Sequence, residues 1–251
     1  MKLRVLGNGG FLNQGIPYNA LLLGSDFLIE APPDIMASLR NQDIPFATIK
    51  RIYISHFHGD HYFGMPFFAL NLLSHCLESG LEIEPIEVIG PKNLRDHLKR
   101  IQEIATSADN PSVSLMDKLF TFTEIDSTSS IRVTGSIVMV FHKMNHSKET
   151  YGFSLVEDGV YLLTYLIDTK WDDSFVAILA NEPKFVLCDL NSQPNDKIKE
   201  HMTEEDIMQK ALAITGTATQ YVGIHLSGVP TKNKEYLRYS QVGDFVEIGK
   251  T

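Results

Sequence analysis

Cysteine is scarce in this sequence, with only Cys76 and Cys188 among 251 residues. Two cysteines are too few for a disulfide framework or a cysteine-rich zinc module. Apolar runs are also short, and none approaches the ~18 residues that a membrane-spanning helix needs. The first residues reach Gly and Asn before the apolar segment of a signal peptide could form. These absences predict a soluble, cytoplasmic protein with no membrane partner.

Basic residues are outnumbered, since 22 Lys and Arg face 31 Asp and Glu, which gives a formal net charge of -9. A surface that binds the backbone of nucleic acid usually carries the opposite sign, so this balance argues against a nucleic-acid partner. Hydrophobic residues make up 43% of the chain, which suffices for one large α/β core. No linker, repeat or low-complexity segment is visible, and we predict one domain over residues 1–251.

Short apolar runs typical of strands recur in both halves of the sequence, with helical patterns between them. An amphipathic pattern predicts a helix over residues 93 to 105. Thr203 with Asp206 predicts the capped start of a later helix, and the segment from Lys232 to Tyr239 predicts a last one. Two mixed β-sheets packed face to face, with helices outside, would bury the strands. The element order therefore predicts an α/β sandwich.

Three of the nine histidines lie in one six-residue window, His56-Phe57-His58-Gly59-Asp60-His61. Alternate residues of an extended chain point the same way, so His56 and His58 can converge on one point. The turn at Gly59 then lets Asp60 and His61 face a neighbouring point. Imidazole together with carboxylate suits Zn, Mn or Fe rather than Ca, which prefers oxygen ligands alone. The window therefore predicts a metal site.

This pattern resembles the signature of the metallo-β-lactamase superfamily, whose fold is an αββα sandwich, and the resemblance extends over the whole chain. Three further ligands are expected downstream. His146 precedes a Tyr-Gly strand start, Asp168 ends a strand as the bridging carboxylate, and His225 ends a later strand. His142 lies four residues before His146 and stays an alternative ligand. The resemblance implies two divalent ions per chain, Zn in the first place and Mn or Fe as alternatives, on seven ligands: His56, His58, Asp60, His61, His146, Asp168 and His225.

Within the superfamily, the chain resembles the branch of ribonuclease Z and phosphoribosyl cyclic phosphodiesterase. The acidic strand end at Asp189, followed by His201-Met202-Thr203, is similar to the segment that carries an extra histidine in this branch. The resemblance implies catalytic roles for Asp60 and His201, and substrate contacts for His201 and Ser227. Asp168 follows His146 by only 22 positions, which leaves no room for the tRNA-binding arm of ribonuclease Z. A small substrate is therefore expected.

The resemblance implies a dinuclear metal-dependent hydrolase that uses a metal-bridging hydroxide as nucleophile on a small or cyclic phosphodiester. A homodimer is the default assembly of this branch. Two alternatives stay open. One is a thioester or lactone hydrolase of the glyoxalase II kind. The other is a non-catalytic metal-bound carrier resembling the pyrroloquinoline-quinone biosynthesis protein B, which a degraded ligand set would have favoured.

Overall fold

The computed structural model describes residues 1–80, 82, 84–192, 200–228 and 232–249. The chain divides into two compact units, each built on one seven-stranded sheet. Unit 1 consists of Met1–Gly7, Pro17–Glu124 and Val242–Val246. Unit 2 consists of Asn8–Ile16, Ile125–Gln241 and Glu247–Thr251.

The sheet of unit 1 contains β1 (Lys2–Gly7), β2 (Ala20–Leu23), β3 (Phe27–Ile29), β4 (Arg51–Tyr53), β5 (Ile86–Pro91), β6 (Phe120–Ile125) and β14 (Phe245–Glu247). Their order is β14-β1-β2-β3-β4-β5-β6. The pairs β1–β2 and β2–β3 are antiparallel, whereas β3–β4 and β4–β5 are parallel. Because β3 and β4 are parallel neighbours, Glu30 and the segment 54–58, which follow these two strands, lie at the same edge of the sheet.

The helices of unit 1 are α1 (Ile35–Asn41), α2 (Gly59–Tyr62), α3 (Met65–Ser79), α4 (Leu94–Ala105), α5 (Pro111–Ser114) and α6 (Met116–Leu119), with a 3₁₀ turn at Phe46–Thr48. The core forms where apolar strand residues such as Ile52 meet Phe68 of α3 and Leu98 of α4. The helix predicted over residues 93 to 105 is confirmed as α4. Its apolar stripe, with Leu94 and Leu98 buried, explains why the pattern could be recognised.

The sheet of unit 2 contains β7 (Ser130–Thr134), β8 (Ile137–Lys143), β9 (Tyr151–Glu157), β10 (Val160–Leu166), β11 (Phe185–Asp189), β12 (Gln220–Ile224) and β13 (Leu237–Tyr239). Their order is β13-β12-β11-β10-β9-β8-β7. The strands from β7 to β10 pair antiparallel, and those from β10 to β13 pair parallel. The parallel half therefore places the carboxyl ends of β10, β11 and β12 at one edge, where ligand sites of mixed sheets are commonly found.

The helices of unit 2 are α7 (Phe175–Leu179), α8 (Glu204–Asp206), a π-helical segment (Ile207–Ala211) and α9 (Leu212–Thr215). The predicted capping box is confirmed. Thr203 Oγ1 accepts from the backbone N–H of Asp206, and the Asp206 carboxylate accepts from the backbone N–H of Thr203. The core of unit 2 joins Phe175 of α7 to Val186 of β11 and Leu237 of β13.

The helix predicted from Lys232 to Tyr239 is wrong, because this segment ends in strand β13. Leu237 stands opposite Tyr221 of the parallel neighbour β12, and the Tyr221 N–H donates to the Tyr236 carbonyl over 3.1 Å. Leu237 is fully buried in the core of unit 2. Pairing with β12 therefore outweighs the local helical pattern. Among the described residues, no helix combines the length and the apolar character needed to cross a bilayer.

Candidate metal centre

The histidine segment of unit 1 lies between β4 and α2. His56 and His61 are fully buried, whereas His58 is half-buried. The ring centroids of His56 and His58 are 4.7 Å apart, and those of His56 and His61 are 4.3 Å apart. Asp60 lies in the first turn of α2, with Oδ2 3.5 Å from Nε2 of His61. The structure thus brings all four predicted ligands of this segment together.

Glu30, which the sequence did not single out, supports two members of this segment. Its carboxylate is fully buried, and Oε2 accepts from the Ser55 N–H over 3.2 Å and lies 3.5 Å from Nδ1 of His61. The Ser55 hydroxyl in turn contacts Nδ1 of His56 over 3.0 Å. Partners at Nδ1 set the ring orientation and tautomer of a metal-binding histidine. The sequence feature that could have pointed to Glu30 is an isolated acidic residue directly after the apolar strand β3.

The other two predicted ligands of unit 2, His146 and His225, lie beside the carboxylate of Asp168. Oδ1 of Asp168 lies 3.4 Å from Nε2 of His225, and Oδ2 lies 3.8 Å from Nε2 of His146. Asp168 and His225 follow the parallel strands β10 and β12, whereas His146 follows β8 on a loop. Each oxygen of one carboxylate therefore faces a different imidazole, which is the arrangement expected of a bridging ligand.

His142, the alternative to His146, makes its contacts within the sheet. Its Nε2 lies 2.8 Å from the Ser154 hydroxyl, which lies 2.9 Å from the Thr164 hydroxyl on the next strand. Burial lowers the pKa of His142 to about 4, so the ring is neutral at pH 7. The contact with Asp168 accordingly favours His146 over His142 as the ligand.

A second carboxylate, Asp189 at the end of β11, orients two histidines at once. Its Oδ2 lies 2.6 Å from Nδ1 of His201, and its Oδ1 lies 3.2 Å from Nδ1 of His225. The backbone N–H groups of Thr169 and Asn191 each donate to it over 3.1 Å. The sequence pattern included Asp189 only as part of an acidic strand end, so this orienting role was missed.

The charges in this cluster shift two pKa values in opposite directions. Burial raises the pKa of Asp189, but the neighbouring His201 and His225 outweigh burial and hold this pKa below its usual range. Burial lowers the pKa of His201, but the charge and hydrogen bond of Asp189 outweigh burial and leave it above its usual value. His201 is therefore stabilised in the protonated form that donates a proton.

Ser227, the predicted substrate contact, lies half-buried two residues beyond His225. The residue between them, Leu226, pairs with Gly9, and its carbonyl accepts from the Gly10 N–H over 2.8 Å. A Cβ atom at Gly10 would lie 2.5 Å from Nδ2 of Asn191 and 3.0 Å from the His225 carbonyl. The glycine loop after β1 is thus bound to the strand end that carries His225.

The donor chemistry of both units fits divalent metal ions. In unit 1, three imidazoles accompany the Asp60 carboxylate. In unit 2, Asp168, Asp189, His201 and His225 each offer one ligand atom, and these atoms lie within 4.8 Å of one another. Mixed imidazole and carboxylate sets suit Zn, Mn and Fe.

Comparison with solved structures identifies the fold. The metallo-β-lactamase fold protein YhfI from Bacillus subtilis aligns with a TM-score of 0.76 at 12% identity, covering 98% of each chain. The short form of human tRNase Z aligns at 0.72 and 20% identity, covering 100% of each chain. Zn²⁺-bound PqqB from Methylobacterium extorquens aligns at 0.69 and 12% identity, covering 99% of this chain and 100% of that one. The predicted metallo-β-lactamase fold is therefore confirmed.

Comparison at the sequence level gives two further findings. A ribonuclease Z from Staphylococcus carnosus (strain TM300) is 26% identical over 131 residues, which are 52% of this chain and 39% of that protein. A ribonuclease Z from Staphylococcus aureus (strain MSSA476) is 29% identical over 113 residues, covering 45% of this chain and 33% of that protein. The matched part of the chain thus spans only 39% and 33% of the length of these two relatives. The sequence model of the protein family described as Anti-Pycsar protein Apyc1 matches residues 1–215.

Proposed function

Since this chain belongs to the family of the Anti-Pycsar protein Apyc1, we propose that it is a metal-dependent hydrolase with two divalent ions and a small or cyclic phosphodiester as substrate. The observation that carries this proposal is the 2.6 Å contact between Asp189 and His201, beside His225. A histidine held by a carboxylate is the usual device for moving a proton to or from a reacting group. Here it lies beside side chains that suit a metal.

The proposed ligand set has seven members, with Zn as the first choice of metal. One ion would take His56, His58 and His146, the other would take Asp60, His61 and His225, and Asp168 would bridge both. When bound, such ions lower the pKa of water to roughly 7 and polarise a phosphoryl oxygen. Glu30 and Asp189 would orient His61 and His225 from the far side of each ring, as outer partners of metal-binding histidines do.

The chain's own residues would then handle the protons. Asp60 would accept a hydrogen bond from the attacking water, and Ser227 would contact the phosphate. As the phosphorus–oxygen bond to the leaving group breaks, Nε2 of His201 would donate its proton to the departing alkoxide. Asp189 would hold the proton on Nδ1 and keep the ring aimed at that oxygen.

This arrangement favours an oxygen leaving group over sulfur. An alkoxide is a strong base and needs a proton as it departs, whereas a thiolate leaves readily without one. The pair of Asp189 and His201 is therefore more useful for a phosphodiester than for a thioester. Relatives named ribonuclease Z, which by name cleave RNA, support the same bond type.

Hydrolysis of bis(p-nitrophenyl) phosphate by protein loaded with Zn or Mn tests the proposal, with a panel of thioesters for comparison. We expect turnover of the phosphodiester, and we expect Asp168→Ala to abolish it because both ions lose a shared ligand. No turnover by the loaded protein, or an equal rate for the variant, would contradict the proposal. A non-catalytic carrier would bind metal without turning over either class of ester.

The role of His201 is tested by varying the leaving group. p-Nitrophenolate departs without protonation, whereas the alkoxide released from propane-1,3-diol cyclic phosphate does not. We expect His201→Gln to slow the cyclic phosphate by about 10² to 10⁴-fold, the usual contribution of general acid catalysis, and to slow bis(p-nitrophenyl) phosphate far less. Equal losses on both substrates would show that His201 does not protonate the leaving group.

A further inference from the structure

Phe57, which stands between two proposed ligands, packs its ring against α4. The rings of Phe57 and His97 are stacked, with centroids 3.9 Å apart and planes inclined by 12°. Tyr62 meets the Phe57 ring at 5.5 Å with an interplanar angle of 65°. The flanking rings of His56 and His58 lie 4.7 Å from each other, whereas the Phe57 ring between them in the sequence contacts His97 and Tyr62. Phe57 thus connects residues 56–61, which we call the ligand segment, to α4.

The ligand segment depends on such side-chain contacts, because residues 54–58 have no regular secondary structure. Backbone pairing to β5 ends at Ile54, whose N–H donates to the Ile89 carbonyl over 2.8 Å. The N–H of the next residue, Ser55, donates to the Glu30 carboxylate instead of to a strand. The stack of Phe57 on His97, two residues after Ser55, is the next contact that restrains this segment.

The helix that carries His97 is itself firmly held. Leu94 and Leu98 are buried, and Nε2 of Gln102 donates to the Ser112 hydroxyl over 2.8 Å. Burial raises the pKa of Tyr62, and the charge of Arg100, one turn beyond His97 on the same face of α4, opposes this rise. The position of α4 that meets Phe57 is therefore His97, on a helix that is itself held in place.

We propose that His97 is a positioning residue for the metal centre, which acts by stacking on Phe57 and so holds His56 and His58 in the arrangement that binds metal. The proposal rests on the proposed function in that it requires these two histidines to be ligands. It also gives the amphipathic helix α4 a role beyond packing. Residues outside the ligand set typically change metal affinity by 10- to 100-fold when they orient a ligand.

Metal affinity provides the test. Zn²⁺ is titrated into metal-free protein in competition with a chromophoric chelator, and the melting temperature of each metal-free variant is measured alongside. We expect His97→Leu, which loses the ring stack, to raise the dissociation constant of Zn²⁺ by about tenfold. His97→Phe keeps a stacked ring and should restore an affinity close to that of the wild type. His97→Gln is a second variant without a ring if the leucine variant does not fold.

His75 offers a matched control. It also lies on a helix of unit 1 and meets a phenylalanine, Phe46, at 5.7 Å and 80°, but Phe46 is not part of the ligand segment. We expect His75→Leu to leave the affinity for Zn²⁺ unchanged. Equal weakening by His75→Leu and His97→Leu would reduce the effect to general destabilisation and overturn the proposal.

The remaining outcomes separate this role from the proposed function. A wild type that binds no Zn²⁺ would overturn the proposed function and the role of His97 with it. A wild type that binds Zn²⁺, with His97→Leu binding equally well, would overturn only the role of His97. Failure of His97→Phe to restore affinity would show that the stack is not what matters.

Discussion

Three residues of the candidate centre adopt a left-handed backbone that side chains other than glycine seldom take. The φ angles are 66° for Glu30, 39° for Asp168 and 52° for His225. Such conformations cost about 1–3 kcal/mol each and persist where the surrounding structure imposes them. Glu30 and His225 directly follow the ends of β3 and β12, and Asp168 lies two residues after the end of β10. Each of the three carries a side-chain group that glycine would lack. These positive φ angles therefore support the proposal that the three residues are retained for their side chains.

The half-buried His142 makes stability depend on pH. Its pKa is about 4 in the folded protein and near 6.5 in an unfolded chain. Between these values the unfolded state binds more protons, so stability is fully present above pH 6.5 and is lost as the pH falls towards 4. We expect protonation of His142 to lower the free energy of unfolding by about 3 kcal/mol as the pH falls through this range. Urea unfolding at pH 7 and pH 4.5 should show a larger loss for the wild type than for His142→Gln, and equal losses would contradict the assignment.

Among the elements, the helix after His201 begins with a capping box and then widens into a π-helical segment. The cap is formed by Thr203, two residues beyond the proposed acid, and by Asp206, which also pairs with Lys210 at 2.6 Å. Lys210 lies over the Trp171 ring at 5.4 Å. π-Helical segments frequently occur near functional sites. The cap therefore fixes the start of this helix close to His201, the acid in our proposal.

Removal of the cap should weaken both the helix and the placement of His201. We expect Thr203→Ala to lower the free energy of unfolding by about 1 kcal/mol, which corresponds to about 2–4 °C in melting temperature. Thr217→Ala, at an exposed turn residue of the same unit, is the control and should change neither stability nor rate. A variant as stable as the wild type would show that the capping box contributes little.

At the scale of the whole molecule, each unit has its own sheet and its own apolar core. Assignment of residues 1–251 to one domain stays a prediction, as does a homodimer. In the proposed function the ions bind only the folded protein, so we expect bound metal to stabilise the folded state.

Removal of the metal tests this stabilisation. A ligand present at 100 times its dissociation constant stabilises the folded state by about 2.7 kcal/mol, so EDTA should lower the melting temperature by about 5–10 °C. Asp168→Asn lacks the bridging carboxylate and should show no such shift on addition of EDTA. An unchanged melting temperature in the wild type would argue against a folded-state metal site.

The sequence by itself determined the ligand motif, the capped helix start and α4, because these depend on residues that are neighbours along the chain. His56 to His61 share one short segment, and Thr203 and Asp206 share one helical turn. The fold class also followed from the sequence, through the resemblance that the histidine motif carries. Local spacing was sufficient for each of these predictions.

Only the tertiary structure decided which distant residues support the ligands. Glu30 lies 25 positions from Ser55, and Asp189 lies 36 positions from His225. It also brought His146, and not His142, next to Asp168, and paired Leu237 with β12 where a helix was expected. The positions of Glu30, Asp189, His146 and Leu237 have one physical reason in common. Which strands become neighbours, and so which strand ends meet at one edge, depends on the order of strands in a sheet and not on any local pattern.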